Sequence, residues 1–294
     1  MKKIVVFLLL LCFMICFANP GLAADSGNLR VITTISILAN FVENIGGENV
    51  MVDYLVPRGE EPEEYEPIPG DFRKLSDADL FVINGLNIES WVERFSGVTD
   101  TEIITATEGA PTIPLLEQDI PDPHLWLDVN LVIDYYLENI LEAFITVDPK
   151  NEELYKKNTE LYRQELRELD QWIRKEVKKI PEKNRIIISS ESAFKYLAAA
   201  YGFQSDGIWE LNSHEEGTPR QIMRIINLVD EKEVPALFME MSITPRHLET
   251  ISRETGVPVI GPVYTDCLGF PGSEADTYIK MMKYNISQFV GALK

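Results

Sequence analysis

Four short segments of this chain carry side chains able to hold a hard cation. Glu60-Glu61-Pro62-Glu63-Glu64-Tyr65-Glu66-Pro67 sets a run of carboxylates around two prolines. Asp122-Pro123-His124-Leu125-Trp126-Leu127-Asp128 contains one of only three histidines. Glu191 follows the apolar run Ile186-Ile187-Ile188-Ser189-Ser190, and Asp266 follows a run ending at Tyr264. Carboxylate oxygens suit Mn²⁺, Fe²⁺ and Mg²⁺-like ions, and imidazole is a donor to most transition metals. The same residues have plainer uses. An acidic run is usually a solvated face, and Glu63 could pair with Arg58. A lone histidine is more often structural than a ligand. Glu191 and Asp266 each lie near a helix start, where a carboxylate can cap. Cys267 adjoins Asp266 and could touch an ion or sense redox state, though a small buried apolar residue is its plainer role. Trp126, Trp209, Tyr65 and Phe194 are expected to pack around the cleft, and His214 and His247 are given no role.

A cation site of this kind would serve a carrier or an enzyme. A metallohydrolase needs an open coordination position for water. The chain has no His-Glu-x-x-His helix, no Gly-x-Ser-x-Gly elbow and no glycine-rich phosphate loop. The expectation is a binding protein and not an enzyme.

The segments sit where an α/β fold places ligands. Strands are expected at Leu29–Ile35, Val50–Val56, Leu80–Asn84, Glu102–Thr105, Arg185–Ser189, Gly207–Leu211, Ala236–Met241 and Val257–Tyr264. Helices are expected at Ser36–Ile45, Phe72–Ala78, Glu89–Phe95, Asn130–Ile145, Phe194–Tyr201, Arg220–Asp230, His247–Thr255 and Ala275–Leu293. Such alternation argues for parallel sheets covered on both faces. Ligands in these folds bind beyond the carboxyl ends of the strands, as the four segments do. Between the halves, Asp148-Pro149 opens a helical pattern that runs to Ile180, where Pro181 stops it. Leu154, Leu161, Leu166, Leu169, Ile173, Val177 and Ile180 form its apolar stripe.

The start of the chain reads as a secretory signal. Lys2 and Lys3 precede the apolar run Ile4 to Phe17, and Leu22-Ala23-Ala24 offers a cleavage site before Asp25. That run is shorter than the roughly 20 residues of a membrane span. Neither Cys12 nor Cys16 follows the small residues of a lipoprotein signal, so a soluble periplasmic form is expected, with a surface lipoprotein as the alternative. The mature chain would keep one cysteine, Cys267, and no internal disulfide. The 47 Asp and Glu of the whole chain against 27 Lys and Arg give −20, and about −22 for the mature chain once Lys2 and Lys3 are gone. That field disfavours nucleic acids and anionic membranes.

Over essentially the whole mature chain the sequence resembles the solute-binding proteins of manganese, zinc and iron ABC importers. Glu61-Pro62-Glu63-Glu64-Tyr65-Glu66-Pro67 resembles the family's Asp-Pro-His-x-Tyr-Glu-Pro box, and Asp122-Pro123-His124-Leu125-Trp126-Leu127 its second histidine box. Ser190-Glu191-Ser192-Ala193-Phe194-Lys195-Tyr196, with Trp209-Glu210-Leu211-Asn212 and Glu215-Glu216-Gly217-Thr218-Pro219, is similar to the third-ligand region. Tyr264-Thr265-Asp266 with Leu268-Gly269 resembles the fourth. The resemblance implies two α/β lobes, each a parallel sheet flanked by helices, joined by one long inter-lobe helix. The corresponding boundaries are 1–24 for the signal, 25–147, 148–181 and 182–294. It implies one divalent metal ion as bound substrate, an ABC permease in the cytoplasmic membrane as partner, and a monomer. The implied ligands are Glu63, His124, Glu191 and Asp266. The chain departs from the family at Glu63, where histidine is usual, and Glu60, Glu61 or Glu64 could stand in for it. One imidazole with three carboxylates is a hard set that suits Mn²⁺ or Fe²⁺, but Zn²⁺ binds carboxylates well and outranks Mn²⁺ in intrinsic affinity, so ligand type alone does not select. The resemblance leans toward Mn²⁺ or Fe²⁺, because manganese-type members have Glu at the third position and the His-rich loop of many zinc members is missing between Glu63 and His124. An adhesin role, or a relative that has lost metal binding, stays open beside this reading.

Overall fold

The computed structural model describes residues 28–115, 120–211 and 217–294. The expected signal peptide at 1–24 lies outside these residues, as do His214, Asn212 and the pair Glu215-Glu216.

The first half is a four-stranded parallel sheet. Its strands are β1 (Leu29–Thr33), β2 (Val50–Tyr54), β3 (Leu80–Ile83) and β4 (Glu102–Thr105), in the order β2-β1-β3-β4. Helix α1 (Ser36–Gly46) crosses from β1 to β2, and α2 (Pro69–Ser76) precedes β3. The Ser36 hydroxyl, at the start of α1, does not cap that helix but accepts the Leu268 N–H at 2.9 Å, tying α1 to a loop of the second half.

The helix expected over Asn130–Ile145 is continuous but irregular. One α turn (Val129–Leu131) passes into a π segment (Val132–Tyr136) and then into α3 (Leu137–Val147). Such π segments are rare and concentrate near functional sites. Here the π segment ends in Tyr136, which is fully buried and donates to Asn84 Oδ1 at 2.7 Å.

The long helix is α4 (Glu152–Val177), preceded by a 3₁₀ turn at Pro149–Asn151. Its 26 residues span about 39 Å, shorter than the expected stretch to Ile180. Its buried face is Tyr155, Thr159, Tyr162, Leu166, Leu169, Ile173 and Val177. The stripe is therefore one residue out of register in its first half, where Leu161 is 54% exposed. The tyrosines win because each has a place for its ring. Tyr155 packs on Phe144 and donates to Asp148 at 2.6 Å, and Tyr162 lies against Phe41.

The second half pairs β5 (Ile186–Glu191) with β6 (Gln204–Trp209) and β7 (Leu237–Glu240) with β8 (Val259–Val263), both in parallel. Helices α5 (Lys195–Tyr201), α6 (Pro219–Lys232) and α7 (Arg246–Thr255) complete the βα series. β5 lies beside β7, and every residue of β5 is buried. Ile187 faces the main core while Ile186 and Ile188 face a smaller one with Ile225, Val229 and Leu248. This two-sided burial is why the strand reads as an unbroken apolar run.

The closing helix α8 (Tyr278–Leu293) returns to pack on α4 and α1. The main core accordingly runs through both halves, from Phe41 and Phe81 to Phe238 and Phe289. Among the described residues no helix is long and apolar enough to cross a membrane.

Candidate metal centre

His124 is held from behind. It is 1% exposed and stands just before the 3₁₀ turn Leu125–Leu127. Asp122 Oδ1 accepts the His124 backbone N–H at 3.0 Å and lies 2.8 Å from its Nδ1. One carboxylate thus fixes ring and backbone together, and makes Nδ1 the protonated nitrogen so that the Nε2 lone pair points inward. The Pro123 carbonyl accepts from Asn84 Nδ2 at 3.2 Å, so the Tyr136–Asn84 contact also braces this loop. Trp126 sits edge-on to the imidazole at 5.3 Å, and its indole N–H reaches the Thr265 carbonyl at 2.8 Å.

Two carboxylates from the second half meet His124. Glu191 ends β5, in register with Trp209. Its N–H donates to Glu240 Oε1 at 2.9 Å, and the Ser190 N–H to Glu240 Oε2 at 3.1 Å. Asp266 Oδ2 accepts from Thr265 Oγ1 at 2.7 Å and from Ser242 Oγ at 3.2 Å, which leaves Oδ1 directed inward. The strand end before it is clamped by buried Asn285, which both accepts the Tyr264 N–H and donates to the Tyr264 carbonyl. His124 Nε2 lies 3.4 Å from Glu191 Oε1 and 3.3 Å from Asp266 Oδ1. Two donors bound at about 2.1 Å to one tetrahedral ion stand about 3.4 Å apart, so each of these two spacings is compatible with a shared ion.

Glu63 completes the ring from the first half. It lies in a 3₁₀ turn, Pro62–Glu64, pinned by the Trp91 indole donating to the Pro62 carbonyl at 2.6 Å. Tyr65 packs on Trp91 and donates to Asp71, which stiffens the same segment. Glu63 Oε2, His124 Nε2, Glu191 Oε1 and Asp266 Oδ1 are each buried without a hydrogen-bond partner. Buried polar atoms are normally paired, so four orphans facing one space call for a missing partner. Glu61, Glu63 and Glu191 offer oxygens within 4.8 Å of one another. The structure therefore places His124 beside Glu191 and Asp266, and Glu63 beside Glu61 and Glu191, with Glu191 common to both groups. Glu60, Glu61 and Glu64 line a groove of about 590 Å³, with Tyr65, Glu66 and Ser242.

The electrostatics describe a pocket short of positive charge. Burial and then Asp266 push Glu63 up to about 8, and Glu61 adds to the shift. Burial, Glu63 and Asp266 hold Glu191 well above the usual carboxylate range. Burial works against a charged His124, yet Asp122, with Asp266 and Glu191, holds the imidazole well above its ordinary value. Burial also raises Asp122, but His124 and then Lys195 outweigh it and bring it below normal. Protons thus occupy the places a cation would relieve, and a divalent ion displaces them.

The plainer uses fare differently. Arg58 turns to the Gly269 carbonyl rather than to Glu63. Neither Glu191 nor Asp266 caps a helix; α5 starts after Phe194. Cys267 is a free, buried thiol that accepts the Gly59 N–H at 3.3 Å, and burial pushes it up to about 11. Trp126 adjoins the ligands, and Trp209 pairs with Glu191 while packing its ring on half-buried His247. Phe194 belongs to the core against Phe289. Sequence reasoning missed Glu240 and the buried Glu89, whose only signal was an acid beside an apolar run.

The sequence pattern of the family described as "ZnuA: Zinc-uptake complex component A periplasmic" matches residues 31–292. The chain belongs to this family. The chain is 47% identical to the manganese-binding lipoprotein MntA of Halalkalibacterium halodurans, over 94% of this chain and 92% of that one. It matches the periplasmic zinc-binding protein TroA of Treponema pallidum at 27% identity and a TM-score of 0.85, over 91% and 99% of the two chains. A manganese-bound periplasmic metal-binding protein from Candidatus Liberibacter asiaticus aligns at 26% identity and a TM-score of 0.82, over 91% and 100%. The proteins it resembles are thus named for manganese and for zinc. The expectation of a soluble form, set against the lipoprotein MntA, concerns residues 1–24, outside those described.

Proposed function

We propose that Glu63, His124, Glu191 and Asp266 hold one divalent transition metal ion between the two halves of the molecule. The reading rests on one observation: four elements far apart in sequence each bury an unpartnered donor atom, and Glu191 links them, lying 3.4 Å from His124 Nε2 and within 4.8 Å of Glu63. The second oxygen of Asp266 and the second nitrogen of His124 are already committed to neighbours, which is how ligating side chains are held.

The protein is the exported, extracytoplasmic binding component of a metal ABC importer, and the ion is its cargo. Mn²⁺ is favoured. One imidazole among three carboxylates is a hard donor set, and a relative at 47% identity is named for manganese. The ion is handed to a membrane permease without chemical change. A hydrolase reading would call for motifs such as a His-Glu-x-x-His helix or a Gly-x-Ser-x-Gly elbow, which the sequence does not carry. Residues 25–147 and 182–294 serve as the two lobes about the helix within 148–181, and the chain works as a monomer.

The test is purification from its own envelope followed by elemental analysis, with titrations of Mn²⁺, Fe²⁺ and Zn²⁺. Stoichiometric metal that disappears on Asp266→Ala and Glu191→Ala supports the site. Retention of metal in both folded variants removes it.

A further inference from the structure

The cargo site has a side that the four proposed ligands do not account for. His124, Glu191 and Asp266 form its inner wall, with His124 Nε2 within 3.4 Å of both carboxylates. Glu191 also belongs to a second set with Glu61 and Glu63, whose donor oxygens lie within 4.8 Å of one another. Glu191 is 3% exposed, and its Oε1 is buried with no hydrogen-bond partner. Glu63 Oε2 is in the same condition. An acidic surface run would turn its carboxylates to water. Here the run from Glu60 splits: Glu64 and Glu66 are exposed, while Glu61 and Glu63 are half-buried on either side of buried Pro62. The Trp91–Pro62 bond holds the backbone between them, so the two acids are presented together.

We propose that Glu61 is a fifth oxygen donor to the cargo ion, placed on its mouth side with Glu63 and Glu191, and that it biases the site toward Mn²⁺ over Zn²⁺. The inference rests on the proposed four-ligand reading. Structural sites for Zn²⁺ are satisfied by four donors in a tetrahedron. Mn²⁺ belongs with the hard ions that take oxygen donors and coordination numbers of six. A fifth donor adds little to a tetrahedral ion and fills a position that an octahedral ion otherwise gives to water. It also raises the donor charge to four carboxylates, which favours the harder ion. Facing the groove lined by Glu60, Glu64 and Glu66, Glu61 is the donor an arriving cation meets first.

The experiment uses the full mature chain stripped of metal, with Mn²⁺ and Zn²⁺ as probes. Affinities by competition titration, and solvent-proton relaxation of the Mn²⁺ complex, are compared for wild type, Glu61→Gln, Glu61→Ala and the neighbouring Glu64→Gln. Glu61→Gln is expected to weaken Mn²⁺ by on the order of tenfold and Zn²⁺ by about threefold or less. Glu61→Ala is expected to admit one more water to Mn²⁺ and raise relaxation. Glu64→Gln should change neither ion appreciably. The inference is overturned if Glu61→Gln weakens both ions equally, as a remote charge would, or if Glu61→Ala leaves relaxation unchanged. A wild-type chain that binds neither ion defeats the four-ligand reading itself. A wild type that binds Mn²⁺ and loses it on His124→Ala, with Glu61 variants unaffected, defeats only the fifth donor.

Discussion

Asp122 holds His124 twice through a single oxygen, taking its backbone N–H at 3.0 Å and facing its Nδ1 at 2.8 Å. The other oxygen of Asp122 lies 3.4 Å from Lys195 Nζ, which also pairs with Glu210 at 2.5 Å. The imidazole is therefore oriented by a carboxylate that is itself charge-compensated, and its free nitrogen faces Glu191 and Asp266 of the second half.

This predicts the effect of Asp122→Asn. The amide keeps the size of the side chain but loses the charge that makes the imidazole a better donor. Metal affinity should fall by roughly 10–100-fold with the fold intact. Calorimetric titration with Mn²⁺, alongside circular dichroism, checks this. An unchanged affinity would mean that His124 does not depend on Asp122 for its orientation.

The position where the chain departs from its family gives a second prediction. Glu63→His yields two imidazoles and two carboxylates, a set that is neutral with a divalent ion. Zn²⁺ should gain on Mn²⁺ by on the order of tenfold, because a borderline nitrogen replaces a hard oxygen. Competition between the two ions in one cell measures the ratio directly. A ratio that does not move would show that Glu63 does not touch the ion.

The boxes around His124, Glu191 and Asp266 are legible in the sequence because each follows a strand or turn whose apolar pattern is plain. The strands of the first half, and their parallel arrangement, are legible for the same reason. What escapes is whatever depends on the third dimension. The face of α4 cannot be read from hydrophobicity alone, since Leu154 and Leu161 outrank Tyr155 and Tyr162 on any scale. Only the register continued back from Leu166 and Leu169, and the rings of Phe41 and Phe144, decide for the tyrosines. Glu240 looks like a strand-end acid between two methionines until β5 is laid beside it.

Glu89 supplies a prediction about pH. It is buried, with Oε1 accepting from Thr34 Oγ1 and Asn84 N and Oε2 from Gly85 N. Burial pushes it up to about 7 despite those donors, against 4.5 as its ordinary value. A carboxyl whose folded pKa is raised contributes most below its unfolded pKa, and the contribution is lost as pH rises through the folded value. Metal-free protein should therefore lose stability from this group between about pH 4.5 and pH 7, by up to about 3 kcal/mol, and change no further above. The difference in urea midpoint between wild type and Glu89→Gln, followed across that range, isolates the group. A difference that is flat with pH would show that Glu89 titrates normally.

Glu240 does for Glu191 what Asp122 does for His124, but through the main chain. Its two oxygens take the adjacent N–H groups of Ser190 and Glu191, at the seam where β5 and β7 lie side by side. Glu240→Gln keeps one acceptor and turns an NH₂ toward the other N–H, leaving a buried donor unpaired. That should cost about 1–3 kcal/mol of stability. A purely structural defect would lower the melting temperature of metal-free and metal-loaded protein together. If the clamp also positions Glu191, the rise in melting temperature on adding Mn²⁺ should shrink as well, because binding stabilises in proportion to the logarithm of the affinity. Melting curves with and without Mn²⁺ separate the two effects. An unaltered metal-induced rise in Glu240→Gln would show that Glu191 meets the ion without help from β7.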